Sequence, residues 1–457
     1  MQRIETDVVI IGAGTAGANA RRAVEAAGKR WVQVEGAVYG TMCARVGCMP
    51  SKLLIAAAER AHDIHHADLF GLRAEVVVDG PAVLERVRRE RDRFVGFVLD
   101  TQSKLPPERC LFGPARFVGP ATVVVGDHSE VHARAAVVAT GSTPTIPEIY
   151  RGLGDALETN DTIFERPDLP RSLAVIGSGV IGLELGQAMH RLGVRVRILS
   201  RSGRLAGLDD PAIHEAARAV LGAELDLLTA EVIAAERTPD GVRLTWHAAG
   251  CEQSDVFERV LVATGRHPAV AGLDLARAGV VLDARGQPSF DPLTLQCDAA
   301  PVFLAGDVTG LHPVLHEAID DGRIAGHNAA TWPEITTGKR RVPLAITFTD
   351  PNIAVVGQRW SGREGELALG AVDYGRQGRA RVMGKNAGRV HVYGRASDRR
   401  LVGAEMCGPR VEHLAHLVAW AIQSGLTVDD ALAMPFYHPV IEEGLRTALE
   451  HLRRALG

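Results

Sequence analysis

The sequence predicts an α/β protein of several domains. One pattern of apolar strand, glycine-rich turn and helix occurs twice, and a later region of strand-type runs ends in two helices. The first copy begins at once: residues 7–11, DVVII, suit a strand buried on both faces, Gly12, Gly14 and Gly17 follow as GxGxxG, and ANARRAVEAAG continues as a helix. The glycines permit a tight turn and bring a pyrophosphate close to the helix N-terminus. The next strand, RWVQVE, ends on Glu35, an acceptor for a ribose 2′-hydroxyl. The second copy, LAVIGSGVIGLELGQAMHRLGVRVRILSR, sets Gly177, Gly179 and Gly182 in the same order. Each copy is followed by an apolar run and an ATG segment, with Thr140 and Gly141 in the first and Gly265 in the second. Two related Rossmann-like dinucleotide folds are therefore expected.

In the second copy Ser200 stands where Glu35 stands in the first, and Arg201 and Arg204 follow. An acid there would hold a free 2′-hydroxyl, whereas arginines bind a 2′-phosphate by charge-assisted hydrogen bonds. The charge argument leans toward NADP(H) over NAD(H). Arginines at a strand end are also ordinary solvated surface.

Just after the first fold come Cys43 and Cys48 in YGTMCARVGCMPSK. On a regular helix that spacing gives a rise of about 7.5 Å, beyond the Cα separation a disulfide tolerates, so pairing requires a distortion there. Gly47 permits one, and Pro50 is placed to open the helix of PSKLLIAAAER, leaving Cys48 beside its N-terminus, where the dipole favours a thiolate. Two ordinary buried cysteines are the alternative.

Composition narrows the function classes. The chain has 457 residues, 46% of them apolar, and 49 glycines, which suits about three domains with many tight turns. Lys and Arg total 51 against 55 for Asp and Glu, so neither a nucleic acid nor an anionic membrane is an expected partner. Six cysteines are too few for a disulfide scaffold, and Cys110, Cys251, Cys297 and Cys407 stand apart without metal-type spacing. No signal-like or membrane-spanning stretch stands out, and a cytoplasmic location is expected.

GAGTAG, CARVGCMPSK, the second glycine motif with IGLELG, VFLAGDVTG and the terminal HPVIEEG, in that order and nearly end to end, resemble the class I pyridine nucleotide-disulfide oxidoreductases, flavoproteins most like the dihydrolipoyl dehydrogenases. The resemblance implies FAD at the first glycine site, with Glu35, Thr140 and Gly141, and a nicotinamide nucleotide, NAD(P)(H), at the second, with Gly265. It implies that Cys48 is the thiolate beside the flavin and Cys43 the thiol that exchanges with substrate, that Lys52 pairs with Glu184 near the flavin, and that Asp307 contacts the ribitol. His438 becomes the acid–base group, oriented by Glu443. Because His438 precedes Pro439 and a helical pattern follows, it is expected at a helix N-terminus with Glu443 about a turn inside. The family's active site is completed by a second subunit, so a homodimer is implied.

The resulting map has an FAD domain over residues 1–150, a nicotinamide domain over 151–270, a return to the FAD domain over 271–339 and an interface domain over 340–457. The expected substrate is a small dithiol or disulfide, or a lipoyl domain. Met42, Ala44 and Arg45 depart from the Thr, Leu and Asn usual around the first cysteine. The absence of vicinal cysteines in HLRRALG and of an N-terminal CxxC speaks against mercuric reductase, and the presence of Cys43 against soluble transhydrogenase. The remaining alternatives are an NADPH-dependent reductase of another disulfide, resembling glutathione reductase, and a non-catalytic flavoprotein redox sensor.

Overall fold

The computed structural model describes residues 1–362 and 366–457, and its backbone divides into two compact units, residues 1–50, 89–145 and 266–341 against residues 51–88, 146–265 and 342–457.

In the first unit Val8–Ile11 is buried at every position, and such a strand belongs inside a parallel sheet. It lies third in a five-stranded, all-parallel sheet in the order Val302–Leu304, Ala135–Val138, Val8–Ile11, Trp31–Glu35, Cys110–Phe112. The helix Thr15–Ala26 packs against Leu315–Thr331, and the approach needs glycine: a Cβ on Gly322 would stand 2.3 Å from the Ala16 carbonyl oxygen, and one on Gly326 2.4 Å from that of Ala20. The unit also holds a four-stranded sheet, Gln2–Glu5, Ser129–His132, Thr122–Val125 and Ala115–Gly119, and an antiparallel pair, Ser142–Pro144 with Arg266–Pro268.

The second unit repeats the parallel design in the order Leu157–Glu158, Arg259–Val262, Ser172–Ile176, Arg195–Ser200, Asp226–Thr229. The helix Val180–Arg191 is buried from Gly182 through Met189, and an antiparallel sheet of Glu231–Thr238, Gly241–Ala248 and Cys251–Phe257 follows. The C-terminal part is a five-stranded antiparallel sheet in the order Leu344–Thr347, Asn352–Gly357, Leu401–Gly408, Arg389–Arg395, Leu367–Asp373. Its terminal helix, Glu443–Ala455, approaches so closely that a Cβ on Gly370 would stand 2.1 Å from the Ala448 carbonyl oxygen.

The expected α/β class is what the chain adopts; the charged segment 80–103 forms the helix Gly80–Ser103, and the later strand-type runs include Arg389–Arg395. No described helix is long and apolar enough to cross a membrane.

Candidate redox site and nucleotide cradles

The two glycine motifs fold alike. Gly12 has φ +112° and Gly177 φ +113°, and a Cβ on them would stand 2.2 Å from the Ala139 and 2.4 Å from the Ala263 carbonyl oxygen. A Cβ on Gly17 or Gly182 would stand 2.0 Å from the carbonyl oxygen of Gly12 or Gly177. The outer glycines of each motif are thus demanded by the turn and the helix packing. The middle ones, Gly14 and Gly179, face open space with nothing within 4 Å, ahead of helices whose first turns have no side-chain cap. Uncapped N–H groups beside an open glycine form a cradle for a pyrophosphate.

The first cradle fits a dinucleotide at two further points. Glu35 folds its carboxylate onto the turn, accepting from the Ala13 N–H at 2.8 Å and the Ala37 N–H at 2.9 Å. The Thr140 hydroxyl is buried without a hydrogen-bond partner among the described residues, an orphan that a bound polar group would satisfy. Ser200 takes the place of Glu35 in the second cradle and pairs with Ser178 of its turn, Oγ to Oγ at 2.7 Å. Arg201 is exposed with no partner among the described residues, whereas Arg204 is tied to Asp209. Gly265 has φ +116° and open space where a Cβ would be.

Around the cysteines the helix is interrupted. Thr41 caps a four-residue helix, Met42–Arg45, its Oγ1 accepting from the Ala44 N–H at 3.2 Å; Val46 and Gly47 break it, and Cys48–His65 starts again. Pro50 does not open this second helix, contrary to expectation: it lies inside the first turn, and Cys48 is the first helical residue. A Cβ on Gly47 would stand 3.2 Å from the Met42 carbonyl oxygen and 3.3 Å from Cys43 Cα, a tight fit that the absence of a side chain relieves where the chain folds back. Cys43 is half-buried and Cys48 exposed.

The three unusual residues of this loop each have a structural account. Arg266 donates from Nη2 to the Met42 Sδ at 3.0 Å and to the Ser142 carbonyl at 2.8 Å, and from Nε to the Ser142 Oγ at 2.9 Å. Ser142 Oγ donates in turn to Asp307 Oδ2 at 3.0 Å. A chain of contacts therefore runs from Met42, next to Cys43, to Asp307. Ala44 is buried, and Arg45 donates to the Val38 carbonyl at 3.3 Å while its stem lies over Gly40, whose φ is +102°. Ser142 and Arg266 are not marked out by the sequence reading; Arg266 directly follows the second ATG, which is the one local signal that points to it.

Lys52 and Glu184 meet as expected, Nζ to Oε2 at 2.7 Å. Glu184 is almost wholly buried, its second oxygen accepts from the Phe348 N–H at 2.9 Å, and the Lys52 ammonium lies 4.6 Å from the centre of the Phe348 ring. Lys52 stands about one turn beyond Cys48 on the same helix.

His438 and Glu443 also meet, Nδ1 to Oε1 at 2.8 Å, with Glu443 Oε2 accepting from the Val440 N–H at 3.1 Å. The expected position at a helix N-terminus is corrected: the helix starts at Glu443, and His438 lies in the preceding turn, because the Pro439 ring and the Val440 bond to Glu443 hold that segment out of helical form. The His438 hydrogen bond holds the Glu443 carboxyl below the usual range. His438 is exposed, leaving Nε2 available to an incoming group.

Two dinucleotide cradles on parallel sheets, with a cysteine pair following the first, are the equipment of an oxidoreductase. The chain belongs to the pyridine nucleotide-disulphide oxidoreductase family: residues 6–328 match its model and residues 343–449 that of its dimerisation domain. It is 30% identical to the dihydrolipoyl dehydrogenase of Thermus scotoductus, over 98% of this chain and 97% of the relative. It is 31% identical to dihydrolipoyl dehydrogenase 3 of Pseudomonas aeruginosa, over 97% of each, and 30% identical to the mercuric reductase of Staphylococcus aureus, over 97% of this chain and 81% of that one. The HOCl-induced flavoprotein disulfide reductase RclA from Escherichia coli shares the fold, with a TM-score of 0.81 at 23% identity over 97% of this chain and 99% of that one. The family's cofactors are FAD and a pyridine nucleotide, and the residues of both cradles fit them.

Proposed function

We propose that this protein is a dihydrolipoyl dehydrogenase, oxidising dihydrolipoamide, free or on a lipoyl domain, with NAD(P)+. The observation that carries the disulfide chemistry is the broken helix at Val46 and Gly47, which lifts the obstacle of helical rise between Cys43 and Cys48. Relatives of that name matching over nearly the whole length support the particular substrate. Residues 1–150 and 271–339 hold FAD in this reading, 151–270 the pyridine nucleotide, and 340–457 join two copies into a homodimer working in the cytoplasm.

The residues then have the following roles. His438 Nε2 accepts the proton of one substrate thiol, and Glu443 at Nδ1 orients the ring and stabilises its charged form. The substrate thiolate attacks Cys43 Sγ, the Cys43–Cys48 bond breaks, and Cys48 leaves as a thiolate at the start of its helix. The second substrate thiol attacks the substrate sulfur of the mixed disulfide, the bond to Cys43 breaks, and Cys43 leaves as a thiol carrying the second proton. The lipoyl disulfide departs, and the electron pair remains on the two cysteines. FAD, when bound, supplies two-electron transfer between such a dithiol and a pyridine nucleotide. Lys52, held by Glu184, keeps a positive charge near that exchange, and Asp307 holds the ribitol. The exposed Arg201 favours NADP(H) over NAD(H), with Arg204 engaged by Asp209.

The second reading, an NADPH-dependent reductase of another disulfide, is favoured by the departures at Met42, Ala44 and Arg45. Assays of the FAD-loaded protein with dihydrolipoamide and NAD+ or NADP+, against lipoamide or glutathione disulfide with NADH or NADPH, separate the two. Turnover of dihydrolipoamide at least about tenfold above the other pairs is expected. Its absence, with NADPH-driven reduction of another disulfide, establishes the second reading instead.

A further inference from the structure

The segment after the strand Arg195–Ser200 is hydrogen-bonded to the turn of the second cradle and holds Ala206 in an unfavourable backbone form. Within it Gly203, Ala206 and Gly207 all have positive φ, +66°, +50° and +72°, and for Ala206 the left-handed region is costly. Such a loop keeps its shape only where its surroundings over-determine it. On one side it is tied to the cradle: Ala206 N–H donates to the Ser178 carbonyl at 3.0 Å and Ser178 Oγ donates to the Arg204 carbonyl at 2.5 Å. On the other side it is tied to the C-terminal sheet. Glu405, fully buried on the strand Leu401–Gly408, accepts through Oε2 from the N–H groups of Asp209 at 2.8 Å and Asp210 at 3.0 Å, and through Oε1 from that of Trp360 at 3.1 Å. Asp210, itself buried, receives Tyr393 OH at 2.8 Å and His391 Nδ1 at 2.6 Å on one oxygen. Its other oxygen caps the helix Pro211–Gly222 through Ala212 N–H at 2.9 Å. Arg359 donates to the Gly207 carbonyl and reaches Asp209 at 3.2 Å.

We propose that Glu405, with His391 and Tyr393 acting through Asp210, positions the pyridine nucleotide: the C-terminal sheet fixes the loop that shapes the second cradle and presents Arg201. This rests on the reading of that cradle as the nicotinamide site. None of these side chains carries electrons or protons in the reaction, so they are positioning residues whose loss weakens nucleotide binding and leaves the thiol chemistry intact. Glutamine at 405 keeps the volume but loses the charge and replaces one oxygen acceptor with a donor, facing N–H groups that need an acceptor.

The experiment uses the full-length, FAD-loaded protein and measures the Kd of NADPH and NADH by titration, together with KM and kcat. Glu405→Gln is expected to raise both nucleotide Kd and KM about tenfold, with kcat at saturating nucleotide and the KM of the disulfide substrate kept. Tyr393→Phe and the solvent-facing Arg359→Ala are expected to move Kd in the same direction by a smaller factor, and they carry the test if Glu405→Gln does not fold. A fall in Tm with unchanged nucleotide Kd in these variants overturns the proposal, leaving the cluster a structural clamp. Gly179→Ala separates the underlying reading. If it weakens nucleotide binding while the Glu405, Tyr393 and Arg359 variants do not, the positioning role alone falls. If it leaves nucleotide binding unchanged, the cradle is not the nicotinamide site and both fall.

Discussion

Glu184 is caught between a cation and a backbone donor, and each of its oxygens is held by one of them: Oε2 meets Lys52 at 2.7 Å, Oε1 the Phe348 N–H at 2.9 Å. Glutamine would still accept from Phe348 through its amide oxygen, but it would turn an NH2 toward an ammonium. The expected cost of Glu184→Gln is about 2 kcal/mol, reduced from that of a fully buried pair because Lys52 is partly solvated. Denaturant unfolding measures it, and a loss below about 0.5 kcal/mol would mean that the pair behaves as an ordinary surface contact. Glu443 contrasts with it. The hydrogen bond from His438 holds the carboxyl low, so it stays ionised further into acid than a free glutamate and keeps its hold on the ring there.

At the scale of the element, the glycines of one motif are unequal, and the inequality is testable. Gly182→Ala drives a Cβ to 2.0 Å from the Gly177 carbonyl oxygen, so the helix Val180–Arg191 must shift, and a Tm loss worth about 2 kcal/mol or more is expected. Gly179→Ala meets nothing, so Tm should hold within about 0.5 kcal/mol while the methyl fills the cradle and weakens nucleotide binding. Equal Tm losses in the two variants would refute the division into packing and open glycines. The helix Cys48–His65 carries a pH dependence of its own. Burial first, and the Arg191 charge next, push His62 down to about 4, against the pull of Glu224 and Asp350 and with His66 adding to the depression. The unfolded chain then binds the proton more tightly, so the stability His62 contributes is complete above about pH 6.5 and is lost as pH falls through about 4. His62→Gln should flatten the Tm difference between about pH 7 and about pH 5, and an unchanged slope would exclude His62 as its source. These elements were legible in the sequence because their signals are local: the glycine spacing, the both-faces-buried runs such as Val8–Ile11 and the helical periods. What escaped was chemistry across distance. Glu405 bonds to an N–H 196 residues away and Met42 to a guanidinium 224 residues away, and no period or spacing marks either. Pro50 and His438 sit a few residues from their expected helix positions because the break at Val46 and Gly47 lets one helix start at Cys48, before Pro50, while Pro439 and the Val440 bond to Glu443 delay the other to Glu443.

For the whole molecule the open question is which copies supply the parts of one active site. The region matching the dimerisation domain, residues 343–449, leaves large apolar side chains in water, with Leu417, Trp420, Met434 and Tyr437 all exposed, and Tyr437 is the immediate neighbour of His438. A second copy covering these side chains would also cover the His438–Glu443 pair, placing that pair at the interface where it can serve the other copy's cysteines. Co-expression of two inactive variants decides the matter. Cys43→Ser lacks the exchanging sulfur and His438→Ala the proton carrier, so each homodimer should fail in dithiol turnover. In a mixed dimer with sites shared between chains, one site combines both defects and the other combines the intact Cys43 of one chain with the intact His438 of its partner. Random pairing makes about half the dimers mixed, each with one working site, so recovery of about a quarter of wild-type turnover is expected. If each chain built its own site, every site in the mixed dimer would carry one defect, and turnover no higher than that of the parent variants would rule out the shared arrangement.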